Sequence, residues 1–119
     1  MAKRKVVGKL DDAPAWPVAG EGVAEVVKRV LVSPAEGWEG WVMRFFEVGP
    51  GGHTPRHTHA WPHINFVASG SGRLYLDGED HALSAGSYAY VPGGDEHQFI
   101  NGGEEPLAFI CIVPVEGEG

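Results

Sequence analysis

Residues 51–70 read GGHTPRHTHAWPHINFVASG and residues 86–101 read GSYAYVPGGDEHQFIN. The first stretch has the spacing G-x5-H-x-H-x3-H-x6-G, from Gly51 through His57, His59 and His63 to Gly70. The second has G-x5-P-x-G-x2-H-x3-N, from Gly86 through Pro92, Gly94 and His97 to Asn101. In an extended chain, side chains two residues apart share a face. His57 and His59 can therefore point the same way, and His63 has the same parity. A neighbouring strand could bring His97 to the same centre. Neutral imidazole is the commonest metal ligand and suits Mn, Fe, Ni, Cu or Zn. A lone histidine reads as a surface or hydrogen-bonded residue; the H-x-H-x3-H cluster reads as a ligand set. His53 and His81 stand in loop-like contexts and read as surface residues.

Outward from these stretches the chain is rich in short apolar runs. Val23–Val32 is crowded with valine, whose β-branched side chains favour strand over helix. Further strands are expected at Trp41–Val48, His63–Ser69, Arg73–Asp77, Ser87–Val91, Gln98–Asn101 and Leu107–Val113. Turn signals separate them, and Asp77-Gly78 is a strong hairpin dipeptide. Glycine accounts for 18 of the 119 residues and proline for 9, which suits many turns and few long helices. The pattern predicts an all-β, antiparallel sandwich or barrel. Residues 1–22 read as an N-terminal arm with Trp16 as an anchor, and residues 23–119 as a single barrel domain. Lys3, Arg4, Lys5 and Lys9 open the chain, and Glu104, Glu105, Glu116 and Glu118 close it; both groups read as solvated charge.

The formal charge of −7 and a pI near 5.2 argue against nucleic acid as a partner. No apolar run approaches the ~20 residues of a membrane span. No secretory signal is recognisable. The single Cys111 rules out an internal disulfide. The expected location is the cytoplasm. There is no G-x-S-x-G, no phosphate loop and no dinucleotide fingerprint.

The two histidine-bearing strings, with the turn between them, resemble the paired motifs of the cupin superfamily. That superfamily usually has Glu at the position held here by His63, so the chain resembles its four-histidine, manganese-type bacterial members. Val42–Gly52, Arg56–His63 and Phe109–Pro114 (VMRFFEVGPGG, RHTHAWPH and FICIVP) are similar to stretches of those proteins. The resemblance implies a double-stranded β-helix, the cupin jelly-roll barrel. It implies one divalent metal on His57, His59, His63 and His97, with Mn first and Fe, Ni, Cu or Zn as alternatives. It also implies a homodimer packed sheet to sheet, in which Val23–Val32 could be exchanged.

Four neutral imidazoles would leave the metal its full charge, which favours anionic or enolate-like ligands. A six-coordinate Mn, Fe or Ni would keep two positions open, whereas Zn could close tetrahedrally. Three residues are candidates for catalysis. Cys111 is either an inert buried hydrophobe or a pocket-lining thiol. Arg44 either faces solvent or turns inward to hold a substrate carboxylate. Trp61 either packs in the core or covers the metal. Asn65, Tyr90, Phe99 and Phe109 are expected in the substrate pocket, with Tyr88 on the same face as Tyr90. Asn101 reads as a structural residue that hydrogen-bonds a nearby loop.

The expected function is a dioxygenase-like, metal-dependent oxidoreductase acting on a small molecule. Non-redox decarboxylase, isomerase or hydrolytic chemistry stays open. So does a binding or sensing barrel without catalysis. A sugar epimerase, which needs a His–Asp or His–Tyr pair, fits the four-histidine set poorly.

Overall fold

A computed structural model describes residues 5–118; Lys3 and Arg4, two of the opening charges, lie outside the described residues. Nine strands run β1 (Trp16–Pro17), β2 (Ala24–Val32), β3 (Trp41–His53), β4 (His63–Ser69), β5 (Ser71–Leu76), β6 (Glu79–Ser84), β7 (Tyr88–Val91), β8 (His97–Ile100) and β9 (Leu107–Pro114). Every pairing between them is antiparallel. The order is β6-β5-β8-β3-β9-β4-β7, with β2 added along β3 and β1 along β2. The fold is all-β, with the sheet curled into the half-barrel of a jelly roll.

Strand β3 joins the two halves. Its first eight residues pair with β9 from Trp41↔Pro114 to Val48↔Leu107, and its last residue, His53, reaches Ile100 of β8. Between these lies Gly49-Pro50-Gly51-Gly52. Gly51 has φ 76°, and a Cβ on Gly52 would lie 2.5 Å from the Ala24 carbonyl oxygen. The strand can turn the corner only because no side chain fills that contact. Asp77 and Gly78 both have positive φ, 47° and 88°, so the β5–β6 hairpin closes on a two-residue turn of the I′ kind.

The core lies between the two walls of the half-barrel. Val42, Val48, Leu107 and Val113 are fully buried with Phe109 and Leu74. Each such side chain contributes ~1.5–3 kcal/mol on leaving water. Asn101 is completely buried, and its amide ties three backbone points together. It donates to the carbonyls of Val48 (2.8 Å) and Glu105 (2.7 Å) and accepts from Gly103 N (2.9 Å).

Three details depart from the sequence reading. Strand β6 was not expected, and His81 lies within it rather than in a loop. Trp16 is held through its backbone pairing with Lys28, while its side chain is 58% exposed rather than a buried anchor. Residues 54–62 form no strand; only an isolated bridge links His57 to His97. The Val23–Val32 segment forms a strand as expected and pairs along β3 from Ala24↔His53 to Val32↔Met43.

Candidate metal centre

Four imidazoles converge inside the half-barrel. The backbones of His57 and His97 exchange two hydrogen bonds, His57 N to His97 O (3.2 Å) and His97 N to His57 O (3.0 Å). This bridge sets the two rings 4.8 Å apart by centroid. His59 is held by Gly94, whose N–H donates to its carbonyl at 2.8 Å. A Cβ on Gly93 would lie 2.2 Å from the Ala60 carbonyl oxygen. The Gly93-Gly94 pair is thus what lets the His97 turn press against the His59 loop. His63 opens β4 with its side chain inward, alternating with exposed Ile64.

One ligand nitrogen from each of His57, His59 and His97 lies within 4.8 Å of the others, a three-histidine cluster able to hold a metal ion. His63 stands beside it. Its Nε2 is 3.3 Å from Nε2 of His97, and its ring centroid is 5.4 Å from that of His59. The outer nitrogens fix the tautomers. His59 Nδ1 donates to the Trp61 carbonyl (2.8 Å) and His97 Nδ1 to the Asp95 carbonyl (2.9 Å). His63 Nδ1 donates to Oδ1 of Asn65 (2.6 Å), whose amide donates in turn to the Ile110 carbonyl (3.4 Å). Each of these three rings therefore carries its lone pair on Nε2.

Burial disfavours the charged form of three of the rings, His57, His63 and His97. It pushes His63 down to about 3, helped by His97 and opposed by the Asn65 hydrogen bond. It lowers His57, with His97 and His59 adding to the effect. It also lowers His97, against the pull of the Asp95 carbonyl. The Nε2 atoms of His63 and His97 face each other at 3.3 Å, each opposite a ring nitrogen that already donates to an oxygen. With metal–nitrogen bonds of ~2.0–2.1 Å, two ligands of one cation end up at about that spacing. The donor set fits a divalent transition metal.

The cluster opens onto a cavity of about 280 Å³. Phe99 and Phe109 wall it, stacked at 4.2 Å. Trp61 lies flat on His59, with ring centroids 4.8 Å apart and planes 8° apart, so it packs against a ligand ring and lines the cavity at once. Arg44 points inward and donates to Sγ of Cys111 at 3.0 Å. Burial pushes the Cys111 thiol above its ordinary value despite the Arg44 charge, so it lines the cavity as a neutral thiol. Asn65 is buried but stands behind His63 rather than on the cavity wall.

Two further expectations are corrected by placement. Tyr90 is 61% exposed and Tyr88 83% exposed, so both hydroxyls sit on the outer face, away from the histidines. Glu118 is not solvated terminal charge; it lines the cavity and pairs with Lys28 at 2.9 Å. Lys28 and Val18 also line the cavity, and sequence reasoning passed over both. Lys28 is hidden in a valine-rich strand and Val18 in the arm, and neither carries a local signal.

Comparison with known proteins agrees with this geometry. Residues 44–113 match the cupin domain family Cupin_2. The chain is 30% identical over 105 residues to 1-methylthio-D-xylulose 5-phosphate methylsulfurylase of Rhodospirillum rubrum, covering 88% of this chain and 67% of that protein. It is 33% identical over 97 residues to dimethylsulfoniopropionate lyase DddW of Ruegeria pomeroyi, covering 78% and 64% respectively. The chain thus spans about two-thirds of the length of these relatives. Among solved structures, the polyketide cyclase RemF from Streptomyces resistomycificus superimposes with a TM-score of 0.85 at 32% identity, over 96% of this chain and 80% of that one. A curled antiparallel half-barrel, an inward histidine cluster fit for a metal ion and the match over residues 44–113 together make this chain a member of the cupin domain family.

Proposed function

We propose that His57, His59, His63 and His97 hold one divalent cation, manganese first, and that the cavity is the active site of a metal-dependent enzyme acting on a small oxygen-bearing molecule. The observation that carries this reading is the convergence of ligand nitrogens of His57, His59 and His97 within 4.8 Å of one another, with His63 Nε2 3.3 Å from His97 Nε2. Bound there, a divalent metal would supply Lewis-acid polarisation of a substrate oxygen. The chain's own residues do the rest. Asn65 and the carbonyls of Trp61 and Asp95 orient the ligand rings. Phe99, Phe109 and Trp61 exclude water, and Arg44 offers a positive charge to an anionic substrate.

Two reaction classes share such a site. Dioxygenase-like oxidation is the first. Non-redox lyase or isomerase chemistry is the second, and relatives named as a lyase, a methylsulfurylase and a cyclase favour it. Anaerobic purification, elemental analysis and reconstitution with Mn or Fe, followed by substrate screening with and without dioxygen, separate them. Dioxygen uptake with product supports the oxidoreductase; turnover under nitrogen supports the lyase or isomerase. One metal per chain is expected, and unchanged metal content after His57→Ala with His97→Ala refutes the site.

We further propose that the protein works in the cytoplasm as a homodimer. The outer face of β4 and β7 supports the second point: Ile64 pairs with Tyr90 and Phe66 with Tyr88, and all four are exposed. A contiguous apolar sheet face of this kind suits self-association. Light scattering of the protein and of Phe66→Lys tests it, with a dimer expected only for the former.

A further inference from the structure

Besides the histidines, the cavity wall carries a charged group of which the metal reading uses only Arg44. Lys28 of β2 and Arg44 of β3 both line the cavity, with side chains 23% and 12% exposed. Between them lies the carboxylate of Glu118, brought there by the turn Val115–Gly117. Its Oε2 accepts from Lys28 Nζ at 2.9 Å. Its Oε1 stands 3.6 Å from Arg44 Nη1, buried and without a hydrogen-bond donor. Arg44 Nε is likewise buried without an acceptor. The remaining Arg44 bonds are a 3.5 Å bond to the Gly117 carbonyl and the 3.0 Å bond to Cys111 Sγ.

Glu118 Oε1 is thus ion-paired with Arg44 but not hydrogen-bonded, and a buried polar atom without a hydrogen bond is costly. The internal carboxylate is therefore an imperfect tenant of a two-cation seat. A free carboxylate is not tethered to a turn and can satisfy Lys28 and Arg44 together. Glu118 arrives from far along the chain, so its departure needs movement of only the segment beyond β9. That segment lies against the cavity's tryptophan, since a Cβ on Gly117 would lie 2.5 Å from Trp61 Nε1.

We infer that Lys28 and Arg44 form a carboxylate-binding subsite facing the histidine cluster, and that Glu118 is its internal occupant, displaced when a substrate carboxylate enters. This deepens the metalloenzyme reading by naming the substrate class, and it relies on that reading only for the subsite's place beside the metal. The test uses metal-free protein, so its failure is distinct from failure of the metal site, which metal content reads separately.

The 15N-labelled protein is titrated with butyrate, with neutral butyramide and with inorganic phosphate. The Arg44 Nε–H, Trp61 Nε1–H and Gly117 and Glu118 amide signals are followed by NMR. Butyrate is expected to shift all four saturably, and butyramide none. Glu118→Gln should tighten butyrate about tenfold, the gain expected when an internal competitor seated ~90% of the time is removed. Lys28→Met should weaken it about tenfold, and Lys28→Arg should restore it; the spectra report whether each variant is folded. Unchanged butyrate affinity in Glu118→Gln overturns the inference, as does butyrate binding that leaves Gly117 and Glu118 undisturbed. Equal binding of butyramide overturns the charge recognition, and tighter binding of phosphate overturns the carboxylate assignment.

Discussion

The two walls of the cavity are built differently. The histidine wall comes from two short stretches, residues 57–63 and 97, joined by the His57–His97 bridge and the Gly93-Gly94 turn. The charged wall comes from Lys28, Arg44 and Glu118, residues that span 90 positions of the chain. The first wall is rigid because each ring is bonded at Nδ1 or clamped by backbone. The second is soft because one member sits on a turn outside the sheet and two polar atoms are unsatisfied. A site with one rigid and one yielding wall can hold a cation firmly and still exchange what lies beside it.

This contrast can be broken most forcefully at the rigid wall. His97→Ala removes both a ligand and the ring packed against the other three, and metal affinity should fall by more than the ~10–100-fold typical of an outer-shell loss; competition with a chelator measures it. Asn65→Ala leaves all four histidines in place but frees His63 Nδ1. A loss of ~10-fold in metal affinity is expected, by the same measurement, and no loss would mean that the Asn65 bond does not orient the ring. At the yielding wall, the Glu118→Gln titration described above should change anion affinity while leaving metal affinity within about twofold, since no ligand contact is touched.

The metal-free protein should also lose stability as pH falls. His57, His63 and His97 have folded values below their ordinary 6.5, so the unfolded chain binds more protons than the folded one between that value and the folded one. Stability is then full above about 6.5 and declines toward about 3, where His63 titrates. Urea midpoints at pH 7.5 and pH 5 measure this, with the lower midpoint at pH 5. Bound metal should flatten the decline at moderate pH, because the ligands are held deprotonated. The smallest effect is expected from Tyr90→Phe. Its hydroxyl lies on the outer face, so metal and butyrate affinities should stay within about twofold; a larger change would place Tyr90 in the site after all.

The histidine wall was legible because its members are close in sequence and share a residue type with few other uses at that density. The parity argument grouped His57, His59 and His63 on the wrong premise, since residues 54–62 are a loop pinned by backbone bonds rather than a strand. Parity failed for Tyr88 and Tyr90, because alternation fixes that two residues share a face but not which face is inward. Strand β6 escaped notice because only Leu83 among its six residues is buried, so the two-residue period has no amplitude there. Glu118 was misread because its partners lie 74 and 90 positions away (118 − 44 and 118 − 28), and an isolated acid near a terminus carries no pattern.

The amino-acid sequence by itself determined the strand-and-turn grammar, the glycines that allow close approach and the histidines that meet at the cavity. These are local properties, written in spacing and residue type. Only the tertiary structure decided which face of each strand turned inward, that Arg44 and Lys28 meet at one cavity, and that Glu118 closes the charge between them. Those outcomes depend on how the sheet curls and where distant strands come to lie, which is a balance of packing over the whole chain rather than a property of any one segment.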